Sequence, residues 1–350
     1  MTRTVLVTGA SGFVGAHVAT ALTERGYVVR ALVRHGSALP AHLDGVEVAA
    51  GDVRERASVA AAAAGCWGVV HVAARYSFWE REDDEPFLTN IEGTRIVLEE
   101  AVRAGAERIV HTSTVGTLRF PEDRPAIEDD RGGPADMVGP YKRTKWEAER
   151  IARRMAAAGA PIVIVQPTAP IGPADARPTP TGQVILDFLR RRLPAYVDTG
   201  LNLVHVADVA EGHALALERG QPGRAYLLGH RDGNLTLASL LAMLARMTGL
   251  PAPRLRLPVS LAVGMAHLDA LVEGWLLRRS PRIPLEGTRM ARKHMWADPS
   301  RAIAELGLPQ RPVAQAVWDA ADWFFAGGHA PAPAGWPAVP RPTDATPVGA

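Results

Sequence analysis

Tyr141-Lys142-Arg143-Thr144-Lys145 is the segment of this chain whose side chains and spacing best suit proton chemistry. A tyrosine and a lysine four residues apart on a helix share a face. A free phenol has a pKa of about 10 and is a poor base at neutral pH, but a neighbouring ammonium stabilises its anion. The pair can therefore move a proton at a substrate oxygen, with Tyr141 as the acid or base and Lys145 as its partner. Only three of the 39 basic residues are lysine (Lys142, Lys145, Lys293), and with five tyrosines about 0.04 such pairs are expected by chance. In a chain that otherwise uses arginine, position 145 asks for a compact ammonium.

A second chemical feature lies at the start of the chain. The apolar run 4–8 leads into Gly9-Ala10-Ser11-Gly12-Phe13-Val14-Gly15, which opens a helical stretch. Glycine spacing alone is weak evidence, but a strand before it and a helix after it are the context a dinucleotide site requires. Gly9 makes the tight turn, Gly12 lets backbone approach a pyrophosphate, and Gly15 lets the helix pack closely on the sheet. Ser11, Phe13 and Val14 then present backbone N–H groups at the positive end of the helix. The plain alternative is a glycine-rich turn with no ligand. Residues 28–36 contain no acid to accept from a ribose 2′-hydroxyl; they contain Arg30 and Arg34, on one face by strand parity. An arginine fork matches a 2′-phosphate, so NADP(H) is expected in preference to NAD(H). Asp52 and Val53 follow the third strand at the adenine end. Ala73 and Ala74, after His71-Val72, end a strand on the ligand side and leave room for the cofactor. The strand before the tyrosine helix ends in Ser113-Thr114, either of which offers a hydroxyl to a substrate oxygen.

These groups need a scaffold that brings them to one edge. Strands are predicted at 4–8, 27–33, 46–49, 68–72, 107–112 and 161–166, with helices at 13–25, 56–64, 86–104 and 140–158 between them. This alternation implies right-handed βαβ units and an α/β fold of the Rossmann type, a doubly wound parallel sheet. Prolines cluster at 167, 170, 173, 178 and 180. Beyond them helices are expected at 181–192, 207–219, 236–248, 299–306 and 312–326, and strands at 202–206 and 225–228. The reading is a dinucleotide-binding domain over 1–170 and a smaller substrate-binding lobe over 171–326. The strand at 202–206 and helix at 207–219 are candidates to pack back on the first sheet. Residues 327–350, rich in Gly, Ala and Pro, are expected to be disordered.

Composition removes several function classes. A net charge of +2 gives no field for nucleic acid. Cys66 is the only cysteine, which fits a reducing, cytoplasmic setting. No export segment precedes the first strand. The apolar stretch 257–277 carries His267, Asp269 and Glu273, which fits a groove-lining helix better than a bilayer span, with a peripheral membrane contact as the alternative. It and the proline-rich loop suggest apolar walls for the substrate. The eleven histidines show no metal-binding spacing, and no metal site is expected.

Gly9-x-x-Gly12-x-x-Gly15 and Tyr141-x-x-x-Lys145, with Asp52, His71 to Ala74, Asn90 to Thr94 and Thr112 to Thr114, resemble the extended short-chain dehydrogenase/reductase family over residues 3–326. The segments QPTAPIGP (166–173), PTPTG (178–182), PAYVDTGLNLVHV (194–206) and DVAEG (208–212) are similar to hopanoid-associated sugar epimerases, a group close to dihydroflavonol-4-reductase-like enzymes. The resemblance implies a bacterial enzyme of hopanoid metabolism, and often a homodimer. It makes Thr114 the first choice for the catalytic hydroxyl and Ser113 the second. It places Pro167 and Thr168 beside the nicotinamide, and the loop 172–182 with Tyr196, Asn202 and His205 beside the substrate.

Three functions remain open. One is an epimerase of a sugar or sugar-lipid, in which hydride leaves and returns. Another is an NADPH-dependent ketone reductase, which the arginines favour. The third is a non-enzymatic NADP(H) sensor, against which an intact Tyr-Lys pair argues.

Overall fold

The computed structural model describes residues 2–75, 88–137, 139–197, 199–261, 263–264, 294–337 and 339–342. Most of the apolar stretch 257–277 therefore lies outside the described residues.

The first half builds the expected sheet. Its strands are β1 (Thr4–Thr8), β2 (Val28–Val33), β3 (Glu47–Ala50), β4 (Gly68–His71), β5 (Arg108–Thr112) and β6 (Ile162–Pro167). They alternate with helices α1 (Phe13–Glu24), α2 (Arg56–Ala63), α3 (Gly93–Arg103) and α4 (Pro140–Ala157). The central strands are apolar on both faces because both are covered. Val18 and Leu22 of α1 pack one side. Val59, Val97, Leu98 and Ile151, from α2, α3 and α4, pack the other.

After the prolines come β7 (Ala169–Ile171), α5 (Pro180–Leu189), β8 (Ala195–Val197), β9 (Gly200–His205), α6 (Val206–Arg219), β10 (Ala225–Leu228), β11 (Asn234–Thr236), α7 (Leu237–Thr248), β12 (Leu255–Leu257), α8 (Ser300–Leu306) and α9 (Val313–Ala326). The large sheet runs β3-β2-β1-β4-β5-β6-β10, and every pairing in it is parallel. Strand order reverses between β1 and β4, which opens a crevice at their carboxyl ends, the place where such sheets bind ligands.

Near residue 170, the expected boundary, the chain does not divide cleanly. α6 packs with α1 on the large sheet, and β10 extends that sheet beside β6. β9 instead joins a small sheet, parallel to β7 and antiparallel to β11. Ile185, Leu189, Leu244, Val317 and Phe324, from α5, α7 and α9, form the core behind it.

The tail differs from its composition. Trp336 stacks on Trp318 with ring centroids 5.6 Å apart, and Arg341 pairs with Asp319 of α9 at 2.5 Å. Described residues after Gly327 thus lie against α9 instead of being disordered. One indole and one guanidinium supply the anchoring that an overall Gly/Pro content hides.

Candidate active site

The crevice widens into a cleft of about 1680 Å³. Pockets for single small ligands hold roughly 300–1,000 Å³, so this one has room for a dinucleotide and a substrate together.

At one end lies the glycine turn. Gly9 has φ +79°, and a Cβ there would meet the backbone N of Ala73 at 2.7 Å. A Cβ on Gly15 would sit 2.1 Å from the Gly9 oxygen. These two positions must be glycine for β1, α1 and the β4 exit to meet. Gly12 is the N-cap of α1; it brings no side-chain cap, and the first turn carries no acid. The first N–H groups of the helix are therefore left for an anion. Ser11, Phe13, Val14, Ala73 and Ala74 line the same wall. The residues present fit a dinucleotide.

Arg34, Asp52 and Val53 also line this end. Arg34 is exposed and makes no ion pair with a described residue. Asp52 is held by Arg54, whose guanidinium and backbone N–H donate to it and keep its carboxyl below the usual range despite partial burial. Arg30 differs from its expected role. It donates to Glu47, to the Ala62 and Ala64 carbonyls and to Cys66, so it ties β2 to β3 and to the end of α2. Strand parity put it on Arg34's face, but β2 ends at Val33 and Arg34 already belongs to the loop.

Midway along the cleft stand Thr114, Tyr141 and Lys145. Lys145 is buried and donates to the Thr112 carbonyl at 2.7 Å. Burial lowers its pKa to about 8, against the opposing pull of Glu149. The Tyr141 phenol is pushed upward by burial. This is the reverse of the downward shift expected from a neighbouring ammonium; its cause is the cost of burying the phenolate. Thr114 accepts from the Gly116 N–H at 3.2 Å, and no described residue takes its hydroxyl proton. Ser113 reaches the cleft edge, but its hydroxyl donates to buried Glu149. Glu149 also accepts from Thr117 at 2.8 Å and Gln166 at 3.1 Å. Of the two candidates, Thr114 has the hydroxyl available to a ligand.

Sequence reasoning missed the residues that hold this centre. Thr112 shares a hydrogen bond with His213 of α6 at 3.0 Å, which fixes the strand end that Lys145 grips. Asn90 accepts from the Arg75 N–H and donates to the Arg75 carbonyl and Thr144, binding the β4 exit to α4. His71 is buried between Thr8 and Thr94, and its pKa falls to about 3, so it is a neutral core histidine. Lys142 also lines the cleft. Only the positions of Asn90 and Thr112 in recognisable segments hinted at these roles.

Pro167, the last residue of β6, and Thr168 after it line the cleft. The three expected substrate contacts do not. Asn202 is buried behind Thr168, accepting from it at 3.0 Å and donating to the His230 and Ala297 carbonyls. His205 is buried against Asp319 at 3.1 Å and accepts from the Ala207 N–H at the start of α6. Tyr196 lies against the small-lobe core and pairs with Arg256 across β8 and β12. Each connects elements of the small lobe.

Residues 5–229 match the model of the NAD dependent epimerase/dehydratase family. The chain belongs to that family. As a member it is an NAD(P)-dependent enzyme of the extended short-chain dehydrogenase/reductase type. A Synechocystis sp. protein whose name assigns it provisionally to dihydroflavonol 4-reductase is 43% identical over 330 residues, covering 92% of this chain and 95% of that one. Sterol demethylase protein B of Methylococcus capsulatus is 37% identical, covering 92% and 98%. The crystal structure of a nucleoside-diphosphate-sugar epimerase from Pseudomonas aeruginosa aligns with a TM-score of 0.78 at 26% identity, covering 94% and 99%. For this epimerase/dehydratase family member the sensor alternative is set aside. Among the described residues no cluster could hold a metal ion, and no helix is long and apolar enough to cross a membrane.

Proposed function

We propose that this chain is an NADP(H)-dependent carbonyl reductase in which Tyr141 donates a proton to the substrate oxygen. The bound nicotinamide would supply the hydride. Thr114 would donate a hydrogen bond to the same oxygen and orient it. Lys145 would hold the cofactor ribose and place positive charge near the phenol. The observation that carries the reading is a tyrosine, an available threonine hydroxyl and a buried lysine in one cleft with the glycine turn. A phenol whose pKa is raised carries its proton at neutral pH, the form that reduction consumes. Arg34 supports NADP(H), since it stands at the end of β2 without an ion-pair partner among the described residues.

Likeness to a sugar epimerase favours a second reading: epimerisation of a sugar or sugar-lipid, in hopanoid metabolism, with Tyr141 acting as base and then acid. Purified protein distinguishes the two. Tightly retained nucleotide fits the epimerase, and an empty site that binds NADPH reversibly fits the reductase. On either reading the partner is a small molecule, and the enzyme works in the cytoplasm as a monomer or homodimer. Tyr141→Phe tests the core of the proposal. Turnover should fall by about 1,000-fold while cofactor affinity stays within about twofold. Undiminished turnover would remove Tyr141 from the chemistry.

A further inference from the structure

The geometry points to an apolar carbonyl compound, a polycyclic or isoprenoid ketone, as the ligand of the far arm of the cleft, in place of a sugar carried on a nucleoside diphosphate. This rests on the reductase reading above. The arm is walled by the small lobe. Leu201 and Leu203 project from one face of β9, and Leu235 is paired with Leu201 across β11. Leu240 from α7, Trp323 from α9 and Met295 extend the wall, with the uncharged Thr199 and Thr236 between them. Trp323 is fixed by stacking on His329 at 4.8 Å. Such a surface stabilises a ligand by removing apolar area from water.

Among the described residues the arm offers few groups for an anion. A diphosphate needs cations or unspent N–H donors. Among the described residues from the small lobe that line the cleft, the one charged side chain is Arg177, a single cation against the two phosphates of a diphosphate. Both helix N-termini here carry a capping side chain. At α5 the Thr179 hydroxyl accepts from the Gly182 N–H, and the buried Asp175 carboxylate accepts from the Thr179 N–H and hydroxyl. A Cβ on Gly182 would come within 2.0 Å of that carboxylate, so the chain gives up a side chain to seat the acid there. At α7 Thr236 accepts from the Ser239 N–H. A phosphate at α5 would meet a carboxylate.

The test uses the full chain carrying Tyr141→Phe and loaded with NADP+, so that binding is read without turnover. Calorimetric titrations with androstanedione, flavanone, geranylacetone and UDP-glucose are compared. At least one ketone should bind with Kd below about 100 μM and with a negative heat-capacity change, while UDP-glucose at about 5 mM should not bind. Trp323→Ala should weaken ketone binding about tenfold and leave NADP+ affinity unchanged. Leu235→Asn, at a half-exposed position, gives the same readout should the indole prove necessary for folding. UDP-glucose binding, failure of all three ketones, or ketone binding indifferent to both variants would overturn the assignment. A ketone that binds but draws no NADPH oxidation from the unmutated enzyme would sink the reductase reading and leave the arm's assignment standing.

Discussion

The two ends of the cleft each meet a helix N-terminus, and the chain finishes these termini in opposite ways. At α1 the N-cap is glycine, and the first turn carries neither a capping side chain nor an acid. At α5 a threonine caps the helix and a buried aspartate binds the threonine. The same backbone dipole is left open in one place and faced by a capping side chain and a carboxylate in the other. An anion site is thus made as much by withholding polar side chains as by supplying them. The open end fits a pyrophosphate, and the closed end leaves leucine, methionine and tryptophan to choose the ligand.

The largest expected effect comes from closing the open end. Gly12 has φ −96° and ψ 168°, an ordinary N-cap conformation, and a Cβ there would meet only the Gly9 oxygen, at 3.3 Å. Gly12→Asp should therefore fold, cap α1 and hold melting temperature level or raise it. Its carboxylate would stand where the phosphates belong, and NADPH affinity should fall about 100-fold. Fluorescence titration and a thermal melt check both halves; unchanged affinity would mean the phosphates sit elsewhere.

A smaller effect sharpens the picture within the cofactor end. Arg34→Ser should lower the preference for NADPH over NADH about tenfold, while Arg30→Ala should leave that ratio unchanged. Ratios of kcat/KM for the two cofactors decide it, and equal effects from both variants would deny Arg34 its special place.

The smallest effect is a slope, read at the junction of the two arms. Lys145 titrates at about 8 in the folded chain and at 10.5 when unperturbed. Activity should decline as pH rises through about 8, because the ammonium is lost. Stability should move the other way. Between about pH 8 and 10.5 the unfolded chain binds the extra proton, so unfolding free energy increases with pH there. Melts of the cofactor-free protein across this window should show a rise that Lys145→Met abolishes; identical slopes would mean the lysine is not desolvated.

Much of the large sheet could be read in advance. Runs such as Val5-Leu6-Val7 and Ile162 to Val165 are apolar on every residue, and only strands covered on both faces ask for that. Tyr141-x-x-x-Lys145 could be read because a helix fixes the geometry of neighbours four apart. The small lobe was harder. β7, β8, β11 and β12 are three-residue strands, too short to show a period. Asn202 and His205 were expected beside the substrate on the family resemblance alone, and their spacing did not bear on it. In the folded chain they satisfy carbonyls, N–H groups and a carboxylate between elements distant in sequence.

The amino-acid order by itself determined what depends on near neighbours: the glycine turn, the tyrosine–lysine face, the alternation of strands and helices, and hence a Rossmann sheet with a dinucleotide end. Tertiary structure alone decided what depends on distant partners. It turned Ser113 to Glu149 and left the Thr114 hydroxyl available, committed Arg30 to Glu47 and left Arg34 exposed, and raised the phenol's pKa through burial. The physical reason is that hydrogen-bond satisfaction and desolvation are settled by whatever packs against a group, and local spacing does not specify that.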